Sequence, residues 1–302
     1  MKIIFMGTPD FAVASLQKLV EAGKNVVAVI TAMDKPAGRG KKLKASAVKE
    51  YAISQDIDVL QPKNLKHPDF IENLRTYQAD VQIVVAFRML PAVVFEMPPL
   101  GTINLHGSLL PDYRGAAPIN WAVINGEKET GVTTFFIQQQ IDTGKIIFQE
   151  SILVGPDDNV GLVHDKLMSL GAGLVLKTIE ALESGEVPQI AQDDSKAIHA
   201  APKIYKDDCK VDWSKNARKV HDFIRGLSPY PSAFTFIGEN RIKLFESQIT
   251  NEMVAANDPF LLTDNKTYLK LACKDYYIEI LELQAAGKRK TKTKDFLSGN
   301  QL

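Results

Sequence analysis

Lys2-Ile-Ile-Phe-Met6-Gly7-Thr8-Pro9-Asp10-Phe11 opens the chain with an apolar, β-branched run that breaks at a glycine and a proline before a helical pattern begins. Lys2 to Met6 predicts a buried strand, Gly7 to Asp10 a turn, and the recurrence of Phe11, Ser15, Leu16, Leu19 and Val20 a helix. The same rhythm continues downstream. Val26 to Thr31 predicts a second strand, Asp58 to Leu60 a short third, and Val81 to Phe87 a strand covered on both faces. Further strands are expected at Gly101 to Leu105, Val132 to Ile137 and Lys145 to Val154, with a helix over Pro118 to Asn125. Asn159 to Ser184 predicts a long amphipathic helix whose buried side carries Val160, Val163, Leu167, Leu170, Leu174 and Ile179. Alternating strands and helices predict an α/β fold: a doubly wound, mostly parallel, Rossmann-like sheet over residues 1–189.

The pattern changes near Ala201-Pro202. After a helix expected over Asn216 to Leu227 and the turn Ser228-Pro-Tyr-Pro231, strand-like pieces follow at short intervals: 233–237, 242–247, 260–263, 268–272 and 278–284. Short strands at such spacing predict a small β-barrel, OB-like, over residues 207–302, with a linker at 190–206.

At 302 residues and 45% hydrophobic composition, the chain is long enough for two cores. Its two cysteines, Cys209 and Cys273, lie far apart without a CxxC or histidine cluster, so neither a disulfide framework nor a metal site is expected, and a reducing cytoplasm fits. The first apolar run is too short for a secretory signal, and no stretch approaches a membrane span. No interface signal stands out, so a monomer is expected. Lys+Arg and Asp+Glu balance at 36 each, so any nucleic acid must be held by local patches.

In an open parallel sheet the ligand crevice lies beyond the carboxyl ends of the strands, which is where catalytic groups are sought. Asn104 and His106 sit at one such end, and a period of two turns both side chains to one side. Asp142, in Ile141-Asp142-Thr143-Gly144, lies in a turn between later strands, from which a carboxylate can fold back toward the same cavity. An amide, an imidazole and a carboxylate suit acyl transfer to an amine, which needs a donor for the oxyanion and groups that move protons. Taken singly, Asn104 and His106 read equally well as strand-end residues satisfying backbone groups, and Asp142 as an Asx turn before Gly144.

Gly7-Thr-Pro-Asp-Phe11, Asn104-Leu-His106-Gly-Ser108-Leu-Leu-Pro111, Arg114-Gly-Ala-Ala-Pro118 and Asp142-Thr-Gly144, in that order, resemble the folate-dependent formyltransferase family. The resemblance runs from Lys2 almost to the C-terminus. It implies that Asn104, His106 and Asp142 form the catalytic trio and that 10-formyltetrahydrofolate is the formyl donor. It also implies a folate pocket built from Phe87, Arg88, Met89, Leu90, Ser108, Leu109, Leu110, Pro111 and Asp142, although Phe87-Arg88-Met89 departs from the small or aromatic residues expected there.

The acceptor must be read elsewhere. Between Asp34 and Glu50 a glycine-punctuated segment, expected to be a flexible loop, carries Lys35, Arg39, Lys41, Lys42, Lys44 and Lys49 with no acid between them. A second basic run near the C-terminus contains Lys288, Arg289 and Lys290. Both suit phosphates, and both also read as solvated surface chain. The first segment resembles the insertion that marks the tRNA-acting branch of the family, which implies initiator methionyl-tRNA as acceptor. A nucleotide-linked amino sugar is the alternative. His67, His164, His199 and His221 belong to no motif and are expected at surfaces or interfaces, and Trp213 reads as a packing anchor.

Overall fold

The computed structural model describes residues 1–37 and 42–299. In chain order the first elements are β1 (Lys2–Gly7), α1 (Asp10–Glu21), β2 (Asn25–Ile30), β3 (Lys35–Ala37), β4 (Lys42–Lys44), α2 (Ala47–Ser54) and β5 (Asp58–Leu60). They are followed by α3 (Pro68–Thr76), β6 (Val81–Val85), α4 (Ala92–Phe95), β7 (Thr102–His106), β8 (Arg114–Gly115) and α5 (Pro118–Asn125). Next come β9 (Glu129–Phe136), β10 (Ile146–Leu153), α6 (Val160–Ser184), β11 (Ala200–Ala201) and α7 (Ala217–Gly226). The remainder is β12 (Ala233–Ile237), β13 (Asn240–Met253), β14 (Leu261–Thr263), β15 (Leu269–Ala272), β16 (Tyr276–Ala285), β17 (Thr291–Lys292) and α8 (Thr293–Leu297).

Two compact units share these elements, and neither is one continuous stretch of chain. The first comprises Met1–Gly115, Gly131–Ile152 and Asp165–Ala200; the second comprises Ala116–Thr130, Leu153–His164 and Ala201–Leu302.

The first unit is built on a sheet of order β10-β9-β7-β6-β1-β2-β5. Strands β5, β2, β1, β6 and β7 run parallel, and β9 is antiparallel to β7, as a mostly parallel doubly wound sheet requires. β1 is wholly apolar between Ile3 and Met6, and these residues are buried, because helices cover both faces of a parallel sheet. From β1 the chain winds outward through β2 to β5 and then returns to β6 on the other side. The order therefore reverses between β1 and β6, where their carboxyl ends open a crevice. Gly7 ends β1 there because a Cβ would fall 2.5 Å from the Cβ of Ala12 and 3.0 Å from the oxygen of Val85. Only a residue without a side chain lets α1 pack this close to the strand ends.

Two features of this unit differ from expectation. The helices α2 and α3 fall between strands, in stretches for which no helix is predicted above. Ser46 caps α2 by accepting the Lys49 amide at 3.1 Å, and Pro68 starts α3. The basic segment is not wholly a loop, since β3 and β4 pair as an antiparallel hairpin with Lys35 opposite Lys44 and Pro36 opposite Leu43. Backbone pairing forms this ribbon without apolar alternation, so the composition gives no strand signal.

The second unit has an antiparallel sheet of order β12-β13-β16-β15-β14, with β17 added beside β16. Register shifts along the fourteen-residue β13 bend it as bulges do. Val220 and Ile224 of α7, with Leu227 at its C-cap, share a core with Ile242, Leu244 and Ile278 of the sheet, and Ile124 of α5 joins the same core, with Trp121 packed alongside. Trp213 packs on this core and donates its indole N–H to Thr235 at 2.9 Å. His221, expected at a surface or an interface, is buried, with Nδ1 3.1 Å from the Ser247 hydroxyl. It lies one residue from Asp222, a buried carboxylate held by Arg225 and Arg218, each at 2.7 Å.

Candidate active site

β7 delivers Asn104 and His106 to the carboxyl edge of the sheet. The His106 ring is buried and meets Phe135 of β9 edge-on, at 6.4 Å between centroids. Its Nε2 lies 2.9 Å from the carbonyl oxygen of Tyr113. A carbonyl can only accept, so Nε2 carries the proton, and in the neutral ring the lone pair is on Nδ1. Nδ1 faces Asp142 Oδ2 at 3.8 Å, too long for a direct hydrogen bond. Asn104, two residues back on the same strand, is half-buried, and its side chain makes no hydrogen bond among the described residues.

Asp142 is held on both its main chain and its side chain. Its Oδ2 accepts the Gly115 amide at 3.0 Å, and its carbonyl accepts Gln192 Nε2 at 2.9 Å. It sits at φ +53°, a left-handed conformation that Asp tolerates better than most residues but that still costs about 1–3 kcal/mol. Tyr113, the carbonyl partner of His106, has φ +58°, and Ala86, just beyond β6, has φ +48°. Backbone conformations of this kind persist where surrounding contacts enforce them. For Tyr113 those contacts come from His199: the Tyr113 amide donates to the His199 carbonyl at 2.9 Å, and the rings stack at 5.0 Å. His199 in turn bonds Asp112 through its amide and through Nδ1, the latter at 3.0 Å. His199, expected at a surface or an interface, braces the loop under His106.

The remaining residues named from sequence are placed as follows. Ser108 is fully buried and donates its hydroxyl to the Asp112 carbonyl at 2.7 Å. Leu110 is buried against Phe135 and Ile146 and joins Pro111 through a cis peptide. Leu109 is partly buried, and its carbonyl accepts the Asp112 amide at 3.2 Å. Leu90 is buried in the core beside β6, with Phe87 packed against it. Arg88 donates to the carbonyls of Pro62 and Lys63, whereas Met89, 72% exposed, is open to solvent. On the basic hairpin, Lys35 and Lys44 are exposed; Arg39 and Lys41 lie outside the described residues, as does the side chain of Lys42. Asp34 anchors the base of the hairpin, accepting from Lys49 at 2.7 Å and from Gln61 at 2.8 Å. These two bonds, led by that of Lys49, hold the Asp34 carboxyl below its ordinary range. In the C-terminal run Lys290 is paired with Glu282 at 2.6 Å, while Lys288 and Arg289 make no ion pair among the described residues.

Tyr113, Gly115, Gln192 and His199 went unseen in the sequence as parts of this site. The first two act through main-chain atoms, which leave no residue-type signal, and the other two fall in the stretch read as linker.

Comparison with known proteins gives the family of the chain. The sequence pattern of formyl transferases covers residues 1–179, and that of the formyl transferase C-terminal domain covers residues 203–301. The methionyl-tRNA formyltransferase of Bacteroides thetaiotaomicron is 53% identical over 310 residues, covering 100% of this chain and 96% of that relative. The chain belongs to the methionyl-tRNA formyltransferase family. It is therefore a folate-dependent formyltransferase, and Asn104, His106 and Asp142 are candidates for the transfer step in a family member rather than an isolated cluster. Among solved structures, the sugar 3N-formyl transferase WlaRD, in the presence of dTDP and 5-N-formyl-THF, superposes with a TM-score of 0.69 at 22% identity, covering 96% of this chain and 99% of that one. HypX from Aquifex aeolicus, in complex with tetrahydrofolic acid, gives 0.67 at 18% identity, covering 98% of this chain and 47% of that one. At these identities the likeness shows a shared fold. No described helix is long and apolar enough to cross a membrane, and no described group of His, Cys, Asp and Glu is placed to hold a metal ion.

Proposed function

We propose that this protein moves the formyl group of 10-formyltetrahydrofolate to the free amine of the methionyl moiety on initiator methionyl-tRNA, and that Asn104, His106 and Asp142 carry the transfer. The observation that bears most weight is the hydrogen bond from His106 Nε2 to the Tyr113 carbonyl, which leaves Nδ1, beside Asp142, as the ring atom available for proton transfer. The acceptor nitrogen attacks the formyl carbon, and the carbonyl electrons move to oxygen. The Asn104 amide, which no described residue occupies, donates to that oxyanion. His106 Nδ1 takes the proton released by the attacking nitrogen, while Asp142 stabilises the resulting imidazolium. The ring then returns the proton to the folate nitrogen as its bond to carbon breaks, and neutral His106 is restored. Protons and charge balance without a covalent enzyme intermediate.

The acceptor assignment is supported by the identity to methionyl-tRNA formyltransferases and by the hairpin, whose Lys35 and Lys44 are exposed and make no ion pair among the described residues. Lysines already bound to carboxylates release fewer counterions, so the hairpin and Lys288-Arg289 are the better phosphate contacts. Residues 207–302 would then support the tRNA. The test is formyl transfer by the purified protein to charged initiator tRNA and, separately, to a nucleotide-linked amino sugar. Turnover with the first and none with the second is expected; the reverse would overturn the acceptor assignment.

A further inference from the structure

Gln192 lies beyond α6, fifty residues from Asp142 in sequence, yet it is bonded to the Asp142 turn. Its Nε2 donates to the carbonyls of Asp142, at 2.9 Å, and Gly144, at 2.8 Å. Its Oε1 accepts from Arg114 Nε at 3.0 Å and Nη2 at 2.6 Å. A primary amide has two N–H donors and an oxygen with two lone pairs, so every hydrogen-bonding capacity of this side chain is filled. The arrangement also has only one sense. A guanidinium cannot accept and a carbonyl cannot donate, so turning the amide over would break all four bonds.

The contacts close a ring around one residue. Gln192 grips the main chain of Asp142 and the side chain of Arg114; the next amide along, Gly115 N–H, holds Asp142 Oδ2. The same Arg114 Nη2 that reaches Gln192 also donates to Asp194 at 2.8 Å. A carboxylate presented from a left-handed backbone position is thereby set in place relative to His106, and the remaining freedom of the turn is taken up by an amide outside it.

We propose that Gln192 is a positioning residue for formyl transfer, holding the Asp142 turn so that its carboxylate faces His106 Nδ1. It acts through Asp142 and rests on the proton-transfer role given to Asp142 above. Gln192→Glu separates this role from simple attachment of the chain: a carboxylate still pairs with Arg114 but has no hydrogen to give the Asp142 and Gly144 carbonyls. Gln192→Ala removes both sets of bonds.

The experiment measures kcat and KM for both substrates, with thermal midpoints, for Gln192→Glu and Gln192→Ala in the full-length protein, each alone and combined with Asp142→Asn. Misplacing a reacting group by a fraction of a bond length costs on the order of 10-fold to 100-fold, so kcat should fall by about that much while KM values stay within about threefold. Gln192→Glu should stay folded at the assay temperature, with a midpoint lowered by the two lost hydrogen bonds. In the Asp142→Asn background neither substitution should slow turnover further, because a residue that works only through that carboxylate has nothing left to place. Losses that multiply in the double variants, or wild-type kcat in both single ones, would overturn the proposal while leaving Asp142 its role. Wild-type turnover by Asp142→Asn alone would overturn both.

Discussion

Gly144 and Phe136 approach so closely that a Cβ built on the glycine would lie 1.6 Å from the Phe136 carbonyl oxygen. The oxygen belongs to the end of β9 and cannot retreat without breaking the strand, since the Phe136 amide is itself bonded to the Lys145 carbonyl at 3.0 Å. The turn carrying Asp142 is thus pressed against the sheet with no room for a methyl group. Gly144→Ala should push it outward, lowering stability by at least about 1–3 kcal/mol as overpacking does and reducing turnover together with it. Denaturant titration alongside formyl-transfer kinetics checks both, and an unchanged midpoint would show that the turn is looser than this contact implies.

Asn104 offers the opposite case. Its side chain is bonded to no described residue, so the folded protein loses little when it is shortened. The reaction should lose much more: removal of one oxyanion donor costs on the order of 100-fold to 1000-fold in rate. Asn104→Ala should therefore melt with the parent protein and transfer formyl groups that much more slowly. Near-normal kcat would remove Asn104 from the mechanism.

The strand bearing Asn104 and His106 and the opening strand-turn-helix are legible in the sequence because apolar runs and turn residues announce them. Asp142 is legible only as part of an ordered set of motifs. The restraints on it are not. Tyr113 contributes a carbonyl and Gly115 an amide, groups that every residue or nearly every residue possesses, while Gln192 and His199 reach the site from a polar stretch with no periodicity. The sequence likewise marks the charge of the Lys35–Lys44 segment but not its pairing, because backbone bonds rather than side-chain alternation make that hairpin. His221 is polar in name and interior in fact, since the apolar positions of α7 around it carry it into the core.

Salt dependence separates the paired lysine from the unpaired ones. Each phosphate neutralised contributes about 0.9 to the slope of log affinity against log salt on duplex nucleic acid. Lys35→Gln with Lys44→Gln should flatten the slope for tRNA by up to about 1.8, whereas Lys290→Gln should change it less because Glu282 already neutralises that ammonium. A loss per charge at Lys290 equal to that at Lys35 and Lys44 would show that its pair with Glu282 gives way to phosphate.

His221 makes stability depend on pH. Burial above all, together with Arg218 and Arg225, pushes its proton affinity below the ordinary 6.5, against the opposing pull of Asp222 and Asp157. The Asp157 carboxylate is 3.4 Å from Nε2, yet that nitrogen has no hydrogen bond, so the pull is weak. The unfolded chain takes up a proton near pH 6.5 while the folded protein resists it, so this residue's contribution falls as pH drops below about 6.5 and levels out once the native ring also protonates. Denaturant midpoints at pH 7.5 and 5.5 should differ more for the parent protein than for His221→Gln. An identical pH response would assign the effect to carboxylates instead.

Both cysteines should resist modification while the protein is folded. Burial pushes the Cys273 thiol up to about 12 from 9.0, and Cys209 is raised for the same principal reason. Three units cut the thiolate fraction of Cys273 about 1000-fold at mildly alkaline pH. A thiol-disulfide reagent at pH 8 should leave both nearly untouched in native protein and titrate both promptly in denaturant. Rapid labelling of Cys273 in the native state would contradict its burial.

The second unit draws Ala116–Thr130 and Leu153–His164 from within the catalytic half of the chain, and Ile124 of the first of these segments is part of its core. Tail exchange between relatives is consequently a three-piece graft. A chimera joined near residue 203 would seat a foreign sheet on a resident α5, whose Ile124 and Trp121 were shaped for other neighbours, and a fragment beginning there would lack one wall of its own interior. Compatible swaps must carry both inner segments with the tail.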